Sequence, residues 1–561
     1  MQCRIGIKPS VTDIFGWAVL WHCDLRRGSN FGAPISLQQN LAIAYPQWTD
    51  YRKKNGLDPL GMQTGSVDLY QRLLPGISNV TLRMRYYGLY AWLSRTYARE
   101  IGDTNPRTWQ RFIRRTEALY ALIAERKGQE NGVAGVEWAS RVLGQPDAKT
   151  IDFAEAAEPG SENYYLKQAW GAFGAAYGSQ LGAIGILREA REHSILVPNG
   201  KIGNDAADAF AEGLANLAAP FVAAIREGEV TLDELDTFAP VTPSAIPEQS
   251  HERACYENIL FARAGSEEAD DIDRRRSLLL LLAAAKQKGG VPSATDVRWM
   301  LYAGHDSGNH PLQLSAELTA QRWRWWVYQA NDLLHISYEG LLKFSLDVLG
   351  ETPAGIALPR LVGECAARLV KACGPMPPSN WKAFRQANPA PQNCLRSDDE
   401  SGEFYLQREL MRKARPDGVC DAQDALLALR LLAVLENRVR SSPKNPADEL
   451  GGLKHNLIHS LVTELRWLEA HENDSLPEFV ARLIEERVIR RHLWVALRKF
   501  RVQGDYTFLI ETDDGRVRLR ATDGPVFTNP RLGPALTFLR DIHLIDEKGL
   551  TAHGKKLAGA S

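Results

Sequence analysis

Arginines in three places of this sequence could hold a phosphate. Arg83 and Arg85 follow the turn Pro75-Gly76, and Asn79 or Thr81 is predicted to cap a helix that opens on them. Cations in a first helical turn face the positive end of the helix dipole. A negative group is therefore expected beside them, either a structural carboxylate or a phosphate held by the arginines and the helix N-terminus. Arg107, Arg111, Arg114 and Arg115 crowd a second predicted helix, opened by the N-cap Asn105 and a first-turn Pro106. They form a solvated face or an anion-binding one. The third place is C-terminal, where residues 487–520 carry 9 Lys and Arg against 4 acids. There Arg490, Arg491, Arg498, Lys499, Arg516 and Arg518, with Arg531 beyond, could meet phosphates.

Histidines offer less. Arg188…His193 and Arg487…His492 share the R-x-x-x-x-H spacing of HEPN-type ribonucleases, in which both side chains act on RNA from one helix. Leu187 to Glu192 is predicted helical, which favours the first pair. His305, Asp306 and His310 could gather a metal, but a capped turn before Pro311 explains them as well. His455 and His459 stand four apart without an H-E-x-x-H pattern. Trp323, Trp325, Trp326 and Tyr328 lie beside Arg322 and Arg324. They could stack bases, yet Leu333, Ile336, Leu341 and Leu342 behind them favour a core. Glycines at 171, 174, 178, 182 and 185 form a helical stripe, expected to admit another helix closely. No complete catalytic, metal or phosphate-loop motif is present, and no cofactor is expected.

Bulk composition narrows the classes. The 561 residues are 44% hydrophobic and 24% charged, with net charge −1, which excludes a uniformly polycationic coat for nucleic acid. The charge is uneven. Residues 51–127 hold 14 Lys and Arg against 6 acids, and residues 131–250 hold 7 against 17. Such asymmetry implies a local anionic partner or two regions that attract each other. Seven cysteines without C-x-x-C spacing fit free thiols in a reducing cytoplasm. The apolar stretch from Ile14 to Trp21 is no convincing signal. Leu278 to Ala285 is far short of the ~20 residues of a membrane span and reads as a buried helix.

These residues need helices to position them. The chain is expected to be mainly α, a multi-helical body with a small C-terminal α/β winged-helix-like module. The expected order is a helical domain at 1–228, a linker at 229–250 and a central helical domain at 251–373. A second linker at 374–402, a helical region at 403–484 and the module at 485–561 follow. Three prolines with several acids, and then five prolines with Asp398-Asp399-Glu400, suggest the two linkers. Asp421 is a predicted N-cap, and another helix is predicted to start near Ser475, with Pro477 in its first turn, and to run to about Val502. Tyr506 to Leu519 reads as a hairpin around Asp513-Asp514-Gly515, followed by a short helix to Arg540 and a turn at Lys548-Gly549. In a winged helix such a helix enters the major groove while the wing touches phosphate.

Phe15-Gly16-Trp17, Leu60-Gly61 and the Pro75-Gly76…Arg83-x-Arg85-Tyr86-Tyr87 segment resemble an uncharacterised family of large bacterial proteins. Trp326-x-Tyr328 through Glu339-x-Leu341 shares the resemblance. It implies a place among accessory and anti-phage defence genes, with protein partners encoded nearby, and it implies no catalytic residue. The function expected is a non-catalytic, cytoplasmic binding or scaffold component that meets DNA or RNA. A nuclease and a protein-only adaptor are the rival classes.

Overall fold

The longest helix, Ala316–Gly350, organises the molecule. At 1.5 Å per residue its 35 residues span about 50 Å. Ser315 caps it, accepting the Leu318 N–H at 3.3 Å. Beyond its first two turns it is buried almost all round, as expected of a helix with apolar residues on every side. Helices Gln63–Leu73, Ala269–Lys288, Ala294–Ala303, Leu358–Ala372, Glu403–Lys413 and Ala422–Arg440 pack around it. The structure is a computed structural model. It describes residues 58–559 apart from 129, 146–148, 159–160, 162, 263–264, 451–458 and 514. Phe15-Gly16-Trp17, Ile14 to Trp21, His455 and the first part of the expected 1–228 domain lie outside the described residues.

Several polar groups carried into the core by this helix are bonded there. Asn331 donates to Ser66 Oγ at 2.9 Å and accepts the Leu461 N–H at 2.9 Å. Asp332, His335 and Glu339 share one face. Asp332 pairs with Arg298 and accepts the Thr528 hydroxyl at 2.8 Å. His335 Nε2 donates to Val526 O at 2.8 Å, and Glu339 accepts the Val526 N–H at 3.0 Å and the Gln63 amide at 3.0 Å. The extended segment 526–528 is thereby laced onto the helix. Burial alone would lower the pKa of His335, but the Asp332 and Glu339 carboxylates outweigh it and hold it at about 9. Burial pushes Glu339 up to about 7.

Both shifts give stability that falls as pH rises. The His335 contribution is complete below its unfolded value of 6.5 and is lost as pH climbs through about 9. A raised carboxyl such as Glu339 costs stability as pH rises from 4.5 through about 7. Urea denaturation is expected to give lower stability at about pH 9 than at about pH 6. In His335→Gln the upper part of that fall, above neutrality, should flatten; an unchanged slope there would rule the group out.

The N-terminal helices follow their caps. Asn105 accepts the Arg107 N–H at 2.9 Å with Pro106 in the first turn, opening helix Pro106–Lys127. Helix Arg85–Glu100 packs on Gly200–Leu214 and meets Pro106–Lys127 through the ring pairs Tyr86–Tyr120 and Tyr97–Trp109. Tyr86, Tyr90 and Tyr177 stack between them, with ring centroids 4.6–5.6 Å apart. Residues 200–227 are long and apolar enough to cross a membrane by length and composition. They form two helices instead, broken at Ala215 (φ 48°), with Phe210 and Phe221 in the core.

Both expected linkers are packed structure. Residues 229–250 hold strand Glu229–Thr231, paired with Thr150–Asp152, and helix Leu232–Thr237, with Val230, Leu235 and Phe238 buried. Residues 374–402 hold helix Trp381–Ala387, whose fully buried Trp381 donates to Glu436 at 2.8 Å. The prolines mark chain reversals over a shared core, and residues from 56 onward form one unit. The glycine stripe also differs from expectation. Residues 173–177 are a π turn followed by helix Gly178–Ala183, and Gly182 and Gly185 face open space. At Gly171 (φ 57°) a side chain would collide with Glu117, whose carboxylate accepts the N–H groups of Ala172 and Phe173 at 2.8 and 2.7 Å.

Helix Leu476–Arg482 continues through a π turn into helix Arg490–Gln503, which stops at Gly504 (φ 70°). A hairpin forms around the predicted turn, but from Ile510–Asp513 and Arg516–Leu519 and not from Tyr506, and takes a third strand from Ile356–Ala357. Helix Leu532–Asp541 and the small pair Ile545–Asp546/Gly549–Leu550 follow. The fold is mainly α, with strands of two to four residues among the described residues.

Candidate nucleic-acid interface

Five of the thirteen basic residues offered to a phosphate by the sequence are inside the protein, at most 8% exposed. Arg83 Nε donates to both Asp541 oxygens at 3.1 and 3.2 Å, and Nη1 reaches Glu130 at 3.1 Å. Arg85 makes a two-pronged contact with Glu252 at 2.9 Å each, and gives Nη1 to the carbonyls of Pro240 and Thr242. The negative groups beside this pair are thus carboxylates of the chain itself. Arg114 donates to the carbonyls of Gln168, Leu166 and Ala156 at 2.7–3.3 Å and lies 4.0 Å from the Tyr164 ring centre. Arg491 pairs with buried Glu464 at 2.7 Å. Arg531 donates to Leu74 O at 3.1 Å and packs on Tyr70. These guanidiniums bind the fold together, and none is placed to reach a phosphate in solvent.

The basic N-terminal stretch and the acidic one after it pair with each other. Arg95 meets Asp208 at 2.6 Å, Arg126 meets Asp236 at 2.8 Å, and Arg111 meets Glu158. Arg115 is half-buried, donating to Arg226 O at 2.7 Å. Lys499 is half-buried and donates to Asp58 O at 2.9 Å. Arg518 is half-buried in the hairpin.

Arg107 and the ion-paired Arg111 are exposed on their helix, and in the C-terminal set Arg490, Arg498 and Arg516 are exposed. Two of them lie on one face of helix Arg490–Gln503. At 100° per residue, Arg490, Trp494, Leu497, Arg498 and Arg501 fall within an arc of roughly 100°. The opposite face buries Arg491, His492, Val495 and Ala496. Trp494, Leu497, Phe500 and Tyr506 each expose 42–47% of their surface. Five of the ten large apolar side chains exposed among the described residues fall in 494–506. Arg498 lies 5.1 Å from the Trp494 ring centre, and Arg490 meets Glu485 at 2.6 Å. Exposed aromatics interleaved with cations can stack bases and neutralise phosphates together. Arg501, Trp494, Leu497 and Phe500 were not singled out above. Their signal was available in the recurrence of large and basic residues at 490, 494, 497 and 501, opposite the apolar Val488 and Val495.

Helix Leu532–Asp541 is mostly buried, with Arg540 its only fully exposed residue. It therefore has no free face for a major groove. The two ribonuclease-like pairs fare differently. Arg188 sits on strand Leu187–Glu189, paired with Leu196–Pro198. His193 lies in the connecting turn, so no helix joins the two. His492 is buried, hydrogen-bonded through Nδ1 to Pro59 O at 3.1 Å, and accepts the Leu509 N–H at 2.9 Å. Burial holds its pKa down at about 4, so it is neutral and closed to an RNA strand. Asp306 caps the His305–His310 turn, accepting the His310 N–H at 2.9 Å. Among the described residues no group of three metal-ligating side chains gathers. Trp323, Trp325, Trp326 and Tyr328 are core residues. His459 packs edge-on against Trp494.

Compared with family models, with curated proteins and with solved structures, the chain has no match in any of the three.

Proposed function

We propose that this protein is a non-catalytic component that binds single-stranded nucleic acid along helix Arg490–Gln503 and the adjoining hairpin. The observation that carries the reading is the exposed face on which Trp494 and Leu497 alternate with Arg490, Arg498 and Arg501, with exposed Phe500 at its edge. Stacking platforms between cations favour unpaired bases over a duplex. In this reading residues 485–561 act as a winged-helix-like module, with Arg516 on the hairpin as an added phosphate contact. The sequence resemblance supports a place in a bacterial multi-protein system, including an anti-phage one, in the cytoplasm.

Fluorescence anisotropy over a salt series tests it. Binding to single strands should weaken with salt at a slope of about −0.7 per phosphate contacted. Arg498→Glu with Arg501→Glu should flatten that slope by one to two such contacts. Trp494→Ala should weaken binding about 5- to 100-fold, the worth of one stacked base. Wild-type protein that fails to bind at low salt overturns the reading. The second reading, a protein-only adaptor, is favoured by the mutual pairing of the N-terminal basic and acidic stretches. It predicts that the same apolar face binds protein with little dependence on salt.

A further inference from the structure

A separate cavity of about 340 Å3 opens where three helix ends meet: the C-terminus of 294–303, the start of 316–350 and the C-terminus of 422–440. Its walls include His305, Arg322, Trp323, Trp326, Arg438 and Lys444, and no Asp or Glu lines it. Arg438 is neutralised by Glu403 behind it, at 2.7 and 2.9 Å. Among the described residues Arg322 has no carboxylate partner. Its Nη1 donates to the carbonyls of Leu301 and Tyr302 at 3.1 and 3.5 Å, while Nε and Nη2 donate to no described protein atom. Burial without a counter-charge lowers its pKa. Lys444 is exposed and also has no ion-pair partner among the described residues. Trp323 and Trp326 are more than nine-tenths buried and stack at 4.6 Å, and their indole N–H groups donate to nothing described. Trp325, between them, donates to Ser277 at 3.1 Å. The cavity therefore gathers donors and side-chain positive charge against an aromatic wall, with no carboxylate among its described lining residues.

We propose that this cavity binds an organic phosphate of mononucleotide size. The phosphoryl oxygens would meet Arg322 and Lys444, and the organic part the Trp323–Trp326 wall. The volume lies at the lower end of small-molecule sites, which suits one nucleotide and not an oligomer. The inference is independent of the helix 490–503 face, which contributes no residue to the cavity.

The test is calorimetric titration of the full chain with AMP, UMP, adenosine and inorganic phosphate, with tryptophan fluorescence as a second readout. The expected result is binding of a nucleotide at least about tenfold tighter than of adenosine, the size of one lost charge-assisted hydrogen bond. Arg322→Gln should weaken nucleotide binding about 10- to 100-fold. Because Arg322 also caps the 294–303 helix, Lys444→Ala at an exposed position provides a variant with no folding role. It should weaken binding several-fold and leave the fold unchanged. No nucleotide binding, equal binding of AMP and adenosine, inorganic phosphate bound as tightly as AMP, or an unaffected Lys444→Ala would each overturn the proposal.

Discussion

Arg85→Ala is expected to lower the unfolding free energy by about 3–5 kcal/mol, the cost of leaving a buried charge without its partner. Arg85 and Glu252 are each about 1% exposed and meet through two bonds of 2.9 Å. Glu252 also accepts the Tyr256 hydroxyl at 2.8 Å. Two glycines make room for this cluster. A side chain at Gly88 would strike the Tyr256 hydroxyl, and one at Gly213 would strike Glu252. Arg85→Lys should rescue little, because an ammonium cannot present a fork to the carboxylate and two carbonyls at once. Arg85→Met with Glu252→Leu should recover part of the loss. The carbonyls of Pro240 and Thr242 would still lack their donor, at about 1–3 kcal/mol each. Chemical denaturation measures all three variants. A loss below about 1 kcal/mol for Arg85→Ala would show that water reaches the site.

Asp541→Ala is expected to cost nearly as much, about 3 kcal/mol. Asp541 ends helix Leu532–Asp541 and holds Arg83, and it accepts the Met84 N–H at 2.9 Å. Arg83 keeps Glu130 as a second partner, so its charge is not wholly stranded and the loss sits at the low end of the range. Asp541→Asn retains one acceptor and should cost less. The pair joins positions 458 residues apart in the chain. Unfolding followed by a probe near residue 541 and another near residue 90 should remain one shared transition in the wild type. In Asp541→Ala the C-terminal probe should move first. Coincident transitions in that variant would mean that the tie is not what holds the C-terminal helix down.

What the sequence made legible was local. The N-caps Asn105 and Asp421, the Pro106 first turn and the 510–519 hairpin rest on residues within a few positions of each other. Their chemistry is complete in a short window. What stayed hidden depends on distant partners. Arg83 and Arg85 look alike beside free arginines until Asp541 and Glu252 are brought to them by the fold. Proline-rich acidic stretches look like linkers until Trp381 and Phe238 are seen to be covered. Leu187 to Glu192 has no strong helix or strand period, and its hairpin pairing with 196–198 decided it. The 490–503 face was legible in part. Its arginines were evident, but exposure of Trp494 and Phe500 follows only from which helix face the core takes.

The long helix has a consequence for synthesis of the chain on the ribosome. Its first half packs on parts already made: Gln321 and Trp325 on Ser277, Trp326 on Tyr302, Asn331 on Ser66. Other positions, from its middle onward, wait for parts not yet made: Gly340 for Leu410, Lys343 for Gly418, Asp332 and His335 for residues 526–528. Translation of that remaining stretch, at about 5–20 residues per second, takes roughly 10–35 s. Through that interval a half-covered apolar helix is held on a nascent chain, and the protein's need for chaperones should be concentrated there.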